Sequence, residues 1–257
     1  MNNIQPFLII GCKMNASPLD NIRIVLSHTS HAGNIGAAAR AMKTMGLQSL
    51  YLINPRSFPD KEADIRAVSA RDLLGKAKVC SSIDEALDNT VLAAALTSRS
   101  RELEHETYDA RAGAKILLEH AQSHPVAVVF GTETSGLTTT EVSKCTLKIV
   151  IPTNPDYASL NLASAVQVMA YELRMALAQA KLAKPLQTEP ATLDEIELFY
   201  RHLEQIMVQV DFLNPQQPKK LMQRLRRLYA RARLEKEEVN ILRGILKAVE
   251  KRLSGKA

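Results

Sequence analysis

What most limits the fold of this 257-residue chain is a repeated alternation. Short apolar runs at 22–26, 50–53, 91–95, Val126–Phe130 and 147–151 are rich in β-branched or small residues and too short for helices. Between them lie helix signals. Residues 34–45 read as a helix ended by Gly46, Ser82/Glu85 and Thr138/Glu141 have capping-box spacing, and 160–182 is a long stretch with few breakers. Strands that alternate with helices predict an α/β domain with a mainly parallel sheet covered on both faces. In such sheets ligands bind beyond the carboxyl ends of the strands. The loops after Ala95, Phe130 and Ile151 are therefore the places to look for chemistry.

The rhythm holds over residues 21–182 and then stops. Residues 1–20 show no period and read as a loose leader. Residues 183–192, with Pro185 and Pro190, read as a linker. From 193 to 257 the pattern is helical only. Thr192/Glu195 form a third capping box, and Leu193, Ile196, Phe199, Tyr200, Leu203, Ile206, Met207 and Val210 mark one apolar face. After Asn214, Pro215 and Pro218 a second helical stretch follows, then a third with Val239, Leu242, Ile245, Leu246, Val249 and Leu253 on one face.

Charge follows the same division. Residues 1–190 hold 19 Lys/Arg and 18 Asp/Glu, a net of +1, whereas residues 191–257 hold 14 and 9, a net of +5. A basic helical appendage on a near-neutral body fits an anionic partner such as nucleic acid, although a solvated surface would look the same. Cys12, Cys80 and Cys145 lack metal-ligand spacing, so no metal is expected and a reduced compartment suits them. No apolar run approaches the roughly 18 residues of a membrane span, and a cytoplasmic location is expected.

Three segments can carry chemistry. SHAGNIGAAARAMKTMG (30–46) turns tightly into a helix at Gly33 and Gly36, with Asn34 placed to cap it. Arg40 follows among small residues that leave room for a bulky ligand or a second chain. FGTETSGL (130–137) leaves a strand through Gly131 and Gly136, with Glu133 its one acid. IPTNPDYASLNL (151–162) enters the long helix with Ser159 and Asn161 beside unpaired backbone donors. Taken singly, each could be an ordinary turn or cap.

In that order and spacing the three segments resemble the SPOUT class of RNA methyltransferases, and most of all its TrmJ-type tRNA 2′-O-methyltransferase branch. AVQVMAYE (165–172), FYRHLEQ (199–205), LRRLYARAR (225–233) and NILRGIL (240–246) extend the likeness over residues 22–253. The resemblance implies a parallel α/β sheet whose residues 131–175 form a trefoil knot, with a small C-terminal helical domain. It also implies a homodimer with active sites at the subunit interface.

The implied cofactor is S-adenosylmethionine, held by Leu96, Thr97, Ser98, Gly131, Ile151, Ala158, Ser159 and Leu160. Arg40 is the implied catalytic residue, joined by Ser159 and Asn161, and it would face the partner's cofactor. Asn34, Arg99 and Arg101 would position RNA, while Asn34, Glu133 and Asn161 would shape the pocket. The cations Lys219, Lys220, Arg224, Arg226, Arg227, Arg231 and Arg233 would grip tRNA, turned outward if Leu221, Leu225 and Leu228 face inward. Thr132 and Thr134 stand where some relatives carry arginine, and Ala95 stands where a glycine is usual. The implied reaction is ribose 2′-O-methylation of cytidine or uridine at position 32 of the tRNA anticodon loop. Ribosomal RNA, another tRNA site and RNA binding without catalysis are the alternatives.

Overall fold

The computed structural model describes residues 17–99, 106–179 and 188–255. Its first part holds strands β1 (Ile22–Ser27), β2 (Ser49–Ile53), β3 (Lys78–Cys80), β4 (Leu92–Leu96), β5 (Thr107–Asp109), β6 (Val126–Phe130) and β7 (Leu147–Val150). Interspersed are helices α1 (Ala32–Met45), α2 (Lys61–Ala67), α3 (Arg71–Lys76), α4 (Ile83–Leu87), α5 (Ala110–Ala121), α6 (Thr139–Lys144) and α7 (Leu162–Gln179). The strands form one sheet in the order β3-β2-β1-β6-β4-β7-β5, and every pairing is parallel.

The expected two-faced burial is present. Ile22, Ile24 and Leu26 of β1, Leu50 and Leu52 of β2, and Val126, Val128 and Phe130 of β6 pack into the core with α1, α5 and α7. Their alternates Val25, Tyr51, Ile53, Ala127 and Val129 pack on the other face with Ile83 of α4 and Val142 of α6. Side chains of a strand alternate between faces, so burial of both faces produces the unbroken apolar runs of the sequence. Cys80 and Cys145 are buried thiols, and burial pushes both above the ordinary range. Cys12 lies outside the described residues.

Three expectations about boundaries need correction. Residues 17–20 already belong to the sheet domain: Ser17 caps the turn Pro18–Asn21, and Leu19 is fully buried in the core. Asn34 does not cap α1, which starts at Ala32 with His31 in the capping position and no side-chain bond from it. Of the linker, residues 188–192 are described, and Ala191 is already buried in the C-terminal core.

That core joins α8 (Leu193–Gln209), α9 (Leu221–Ala232) and α10 (Lys236–Leu253) through Phe199, Tyr200 and Ile206, Met222 and Tyr229, and Val239 and Leu246 in turn. The Phe199 ring meets the Tyr229 ring edge-on at 5.0 Å. The face of α9 differs from expectation. Met222 and Tyr229 pack inward, whereas Leu228 is 49 % exposed. Ile245 and Leu253 of α10 are likewise exposed rather than on its buried face.

Among the described residues, no helix is long and apolar enough to cross a membrane.

Candidate active site

Sheet order decides where the loops meet. β6, β4 and β7 are adjacent, with Leu96 paired in register to both Phe130 and Ile149. The chains leaving these strands therefore emerge side by side at one sheet edge. They enclose a cleft of about 160 Å³ walled by Leu96, Thr97, Ser98, Gly131, Ile151, Ala158, Ser159 and Leu160. Every residue that the sequence suggested for cofactor contact thus borders one space.

Local geometry explains the residue types. A Cβ on Gly131 would lie 2.1 Å from the Gly136 carbonyl carbon and from the Leu137 nitrogen, so only glycine fits. Gly136 has φ +67° and donates its amide to the Thr132 carbonyl at 2.9 Å, closing the loop. The loop after β4 is tied in as well. The Thr97 amide donates to the Ile149 carbonyl at 3.1 Å, and the Arg99 guanidinium donates to the Thr134 carbonyl at 3.3 Å. Lys148, buried within β7, donates to the Arg99 carbonyl at 3.1 Å. Among the described residues, the main-chain amides of Ala158, Ser159 and Leu160 meet no protein acceptor.

Beside the cleft, Glu133 binds the first segment to the second. Its carboxylate accepts from the Ser30 amide (3.0 Å), the Ser30 hydroxyl (2.7 Å), the His31 amide (3.2 Å) and the Asn34 side-chain amide (2.8 Å). Glu133 thus satisfies amides just ahead of α1 that no local side chain caps. Partial burial pushes this carboxyl up, but the Ser30 and Asn34 hydrogen bonds outweigh burial and hold it at about 2. The third segment joins through Asn161, whose side-chain amide donates to the Asn34 side-chain oxygen at 3.0 Å. The Asn161 oxygen accepts from the Ala163 and Ser164 amides and so caps α7. One hydrogen-bonded chain, Glu133–Asn34–Asn161, unites the first segment with two that lie about a hundred residues later.

Other suggested residues lie elsewhere. Arg40 is exposed on α1 and does not wall the cleft of its own chain. Arg99 touches the cleft, whereas Arg101 lies outside the described residues. On α9, Arg224 and Arg231 are exposed and Arg227 is half-buried; Lys219 and Lys220 precede the helix and are exposed. Arg233 pairs with Glu106 at 3.4 Å.

Arg226 is a correction. Both arms of its guanidinium engage the Glu197 carboxylate, and it lies 4.5 Å above the Tyr200 ring, so it points into the protein and not toward a phosphate. Sequence reasoning missed Ser30, His31 and Lys148. A lysine inside an apolar strand was the one signal that could have flagged Lys148.

The fold and the cleft define a parallel α/β domain with a ligand-sized site at the carboxyl ends of its strands and a helical appendage. Residues 21–171 match the model of the SpoU rRNA Methylase family, and the chain belongs to that family. Residues 194–257 match a second model, the C-terminal domain of the tRNA methyltransferase TrmJ. The chain is 47 % identical over 244 residues to the tRNA (cytidine/uridine/adenosine-2′-O-)-methyltransferase TrmJ of Pseudomonas aeruginosa, covering 91 % of this chain and 95 % of that one. It is 48 % identical to the tRNA (cytidine/uridine-2′-O-)-methyltransferase TrmJ of Klebsiella pneumoniae, covering 93 % and 100 %. The crystal structure of TrmJ from Z. mobilis superposes with a TM-score of 0.79 at 31 % identity, covering 89 % of this chain and 99 % of that one.

Proposed function

We propose that this protein transfers a methyl group from S-adenosylmethionine to a ribose 2′-oxygen of tRNA, on cytidine or uridine in the anticodon loop, in the cytoplasm. The observation that carries the reading is a cleft walled by the second and third segments, with the first segment tied to its rim through Glu133–Asn34–Asn161. The tRNA-specific names of relatives 47–48 % identical and the match of the C-terminal helices support tRNA over ribosomal RNA.

The cleft suits the cofactor. Leu96, Ile151 and Leu160 offer apolar walls for a purine, while the amides of 158–160, which meet no acceptor among the described residues, offer donors to its polar groups. When bound, S-adenosylmethionine supplies a methyl carbon made electrophilic by its sulfonium, so that a neutral thioether leaves. The attacking hydroxyl gives up its proton to solvent as its oxygen takes the methyl group, and the chain's own residues must orient that hydroxyl and take up charge that grows on its oxygen.

Arg40 fits that task. A guanidinium stays charged at neutral pH and is a poor base there, but it stabilises an incipient alkoxide well. Because Arg40 stands outside its own chain's cleft, the reading requires a homodimer in which Arg40 serves the partner's site. The trefoil knot over 131–175 belongs to the same reading. Lys219, Lys220, Arg224, Arg227 and Arg231 would hold tRNA phosphates.

The test is methyl transfer from labelled donor to unmodified tRNA, with the product nucleoside identified. Arg40→Ala is expected to abolish turnover and leave donor affinity nearly intact. Loss of both together would assign Arg40 a structural role, and label found only in ribosomal RNA would move the substrate.

A further inference from the structure

The junction between the sheet domain and the C-terminal helices holds a run of charges that methyl transfer does not use. Lys144 ends α6 and is 17 % exposed. On one side its ammonium pairs with Asp84 of α4, and on the other it stands 4.0 Å from Glu197 of α8. Glu197 in turn grips Arg226 of α9. The series Asp84–Lys144–Glu197–Arg226 thus crosses from one domain to the other, and Lys144 is its bridging member.

Each end of this series is anchored to something functional. α6 leaves the cleft loop directly. Its cap residue Thr138 adjoins Leu137 and is bound by Glu141, which also accepts from the Ser27 hydroxyl at the end of β1. Lys144 therefore moves with the cleft. Arg226 is fixed by Glu197 and by the Tyr200 ring, and its exposed neighbours Arg224 and Arg231 lie on the same helix. Glu197 therefore moves with the basic face of α9.

Apolar packing across this junction is slight: Leu193 at the start of α8 meets the sheet core, and its amide donates to the Thr90 carbonyl at 2.7 Å. Lys144, Glu197, Tyr200 and Arg226 border a cavity of about 270 Å³ between the two parts. A charge pair kept out of bulk water still attracts at 4.0 Å, and the Lys144–Glu197 pair draws α6 and α8 together.

We propose that Lys144 is a positioning residue for the reaction. Through Glu197 and Arg226 it holds the basic face of α9 at a set orientation to the cleft. It thereby governs capture of tRNA and leaves the methyl-transfer step itself alone. The proposal rests on the tRNA-methylation reading above.

The experiment compares KM for unmodified tRNA, kcat and donor affinity in the wild-type protein, Lys144→Met, Lys144→Arg and Glu106→Gln. Lys144→Met should raise KM on the order of tenfold and leave kcat and donor affinity within about twofold. Lys144→Arg keeps the charge and should restore KM. Glu106→Gln weakens a second tie across the junction, to Arg233 at 3.4 Å; Glu106 is exposed, so folding is not at risk, and KM should rise by about threefold. Unchanged KM in both variants overturns the proposal, as does equal loss of donor affinity or failure of Lys144→Arg to rescue. A wild-type protein that methylates no tRNA overturns the underlying reading instead.

Discussion

Glu133 shows how one residue can be visible in a sequence while its role is not. It stood out as the one acid of a glycine-flanked loop, and an exposed turn was an equal reading. Its four donors come from Ser30, His31 and Asn34, about a hundred positions earlier, and no local pattern announces them. The carboxyl sits at about 2 in the fold against an ordinary 4.5. A depressed carboxyl contributes stability that is complete above its unfolded value and is lost as pH falls from about 4.5 to about 2. Glu133→Gln should therefore cost about 1–2 kcal/mol at pH 7, allowing for solvent screening, with the gap to wild type narrowing below pH about 4.5. Urea unfolding at pH 7 and pH 3 measures it, and an identical gap at both would remove the charge from the explanation. Gly131 gave a clearer signal, because glycines mark close approach of backbone. Gly131→Ala puts a methyl 2.1 Å from two backbone atoms, so donor binding should be lost in calorimetry.

At the scale of elements, the strands were legible because both faces are buried, and apolar runs record that directly. The edge strands β3 and β5 were not, since each has three residues, too few for a period, and much of each is exposed. α9 was legible as a basic helix, but its inward face was not. Leucines were expected to turn inward. The aromatic core of Phe199, Tyr200 and Tyr229 instead draws Met222, Arg226 and Tyr229 there, because Glu197 and the Tyr200 ring compensate the buried guanidinium. The cations of α9 should accordingly fall into two groups. Arg226→Ala leaves Glu197 partly buried without its main partner and should lower stability by about 3 kcal/mol. Arg224→Ala and Arg231→Ala should change stability by less than about 0.5 kcal/mol. Each should reduce the salt dependence of tRNA binding by roughly 0.7–0.9 in log–log slope. Denaturation curves with salt-titrated binding separate the groups, and a stable Arg226→Ala protein with a reduced slope would return Arg226 to the RNA surface.

For the whole molecule, the position of Arg40 is decisive. The cleft of one chain is walled by β4, β6 and β7 and the loops after them, whereas Arg40 is exposed on α1 and borders none of it. If the reaction needs both, a site is completed only when a second copy presents its own α1. Two inactive variants must then complement each other. Arg40→Ala retains a sound cleft but offers no arginine, and Gly131→Ala offers the arginine but has no cleft. In a mixed dimer the first chain's cleft faces the second chain's Arg40, and one competent site re-forms. Random pairing of equal amounts makes half the dimers mixed, each with one of two sites working, so about a quarter of wild-type activity should return. Co-expression with two different affinity tags, followed by purification through both, should enrich this species to about half of wild-type activity per dimer. If Arg40 acted within its own chain, each chain of the mixed dimer would still lack one of the two parts, and its activity would stay at the background of the single variants.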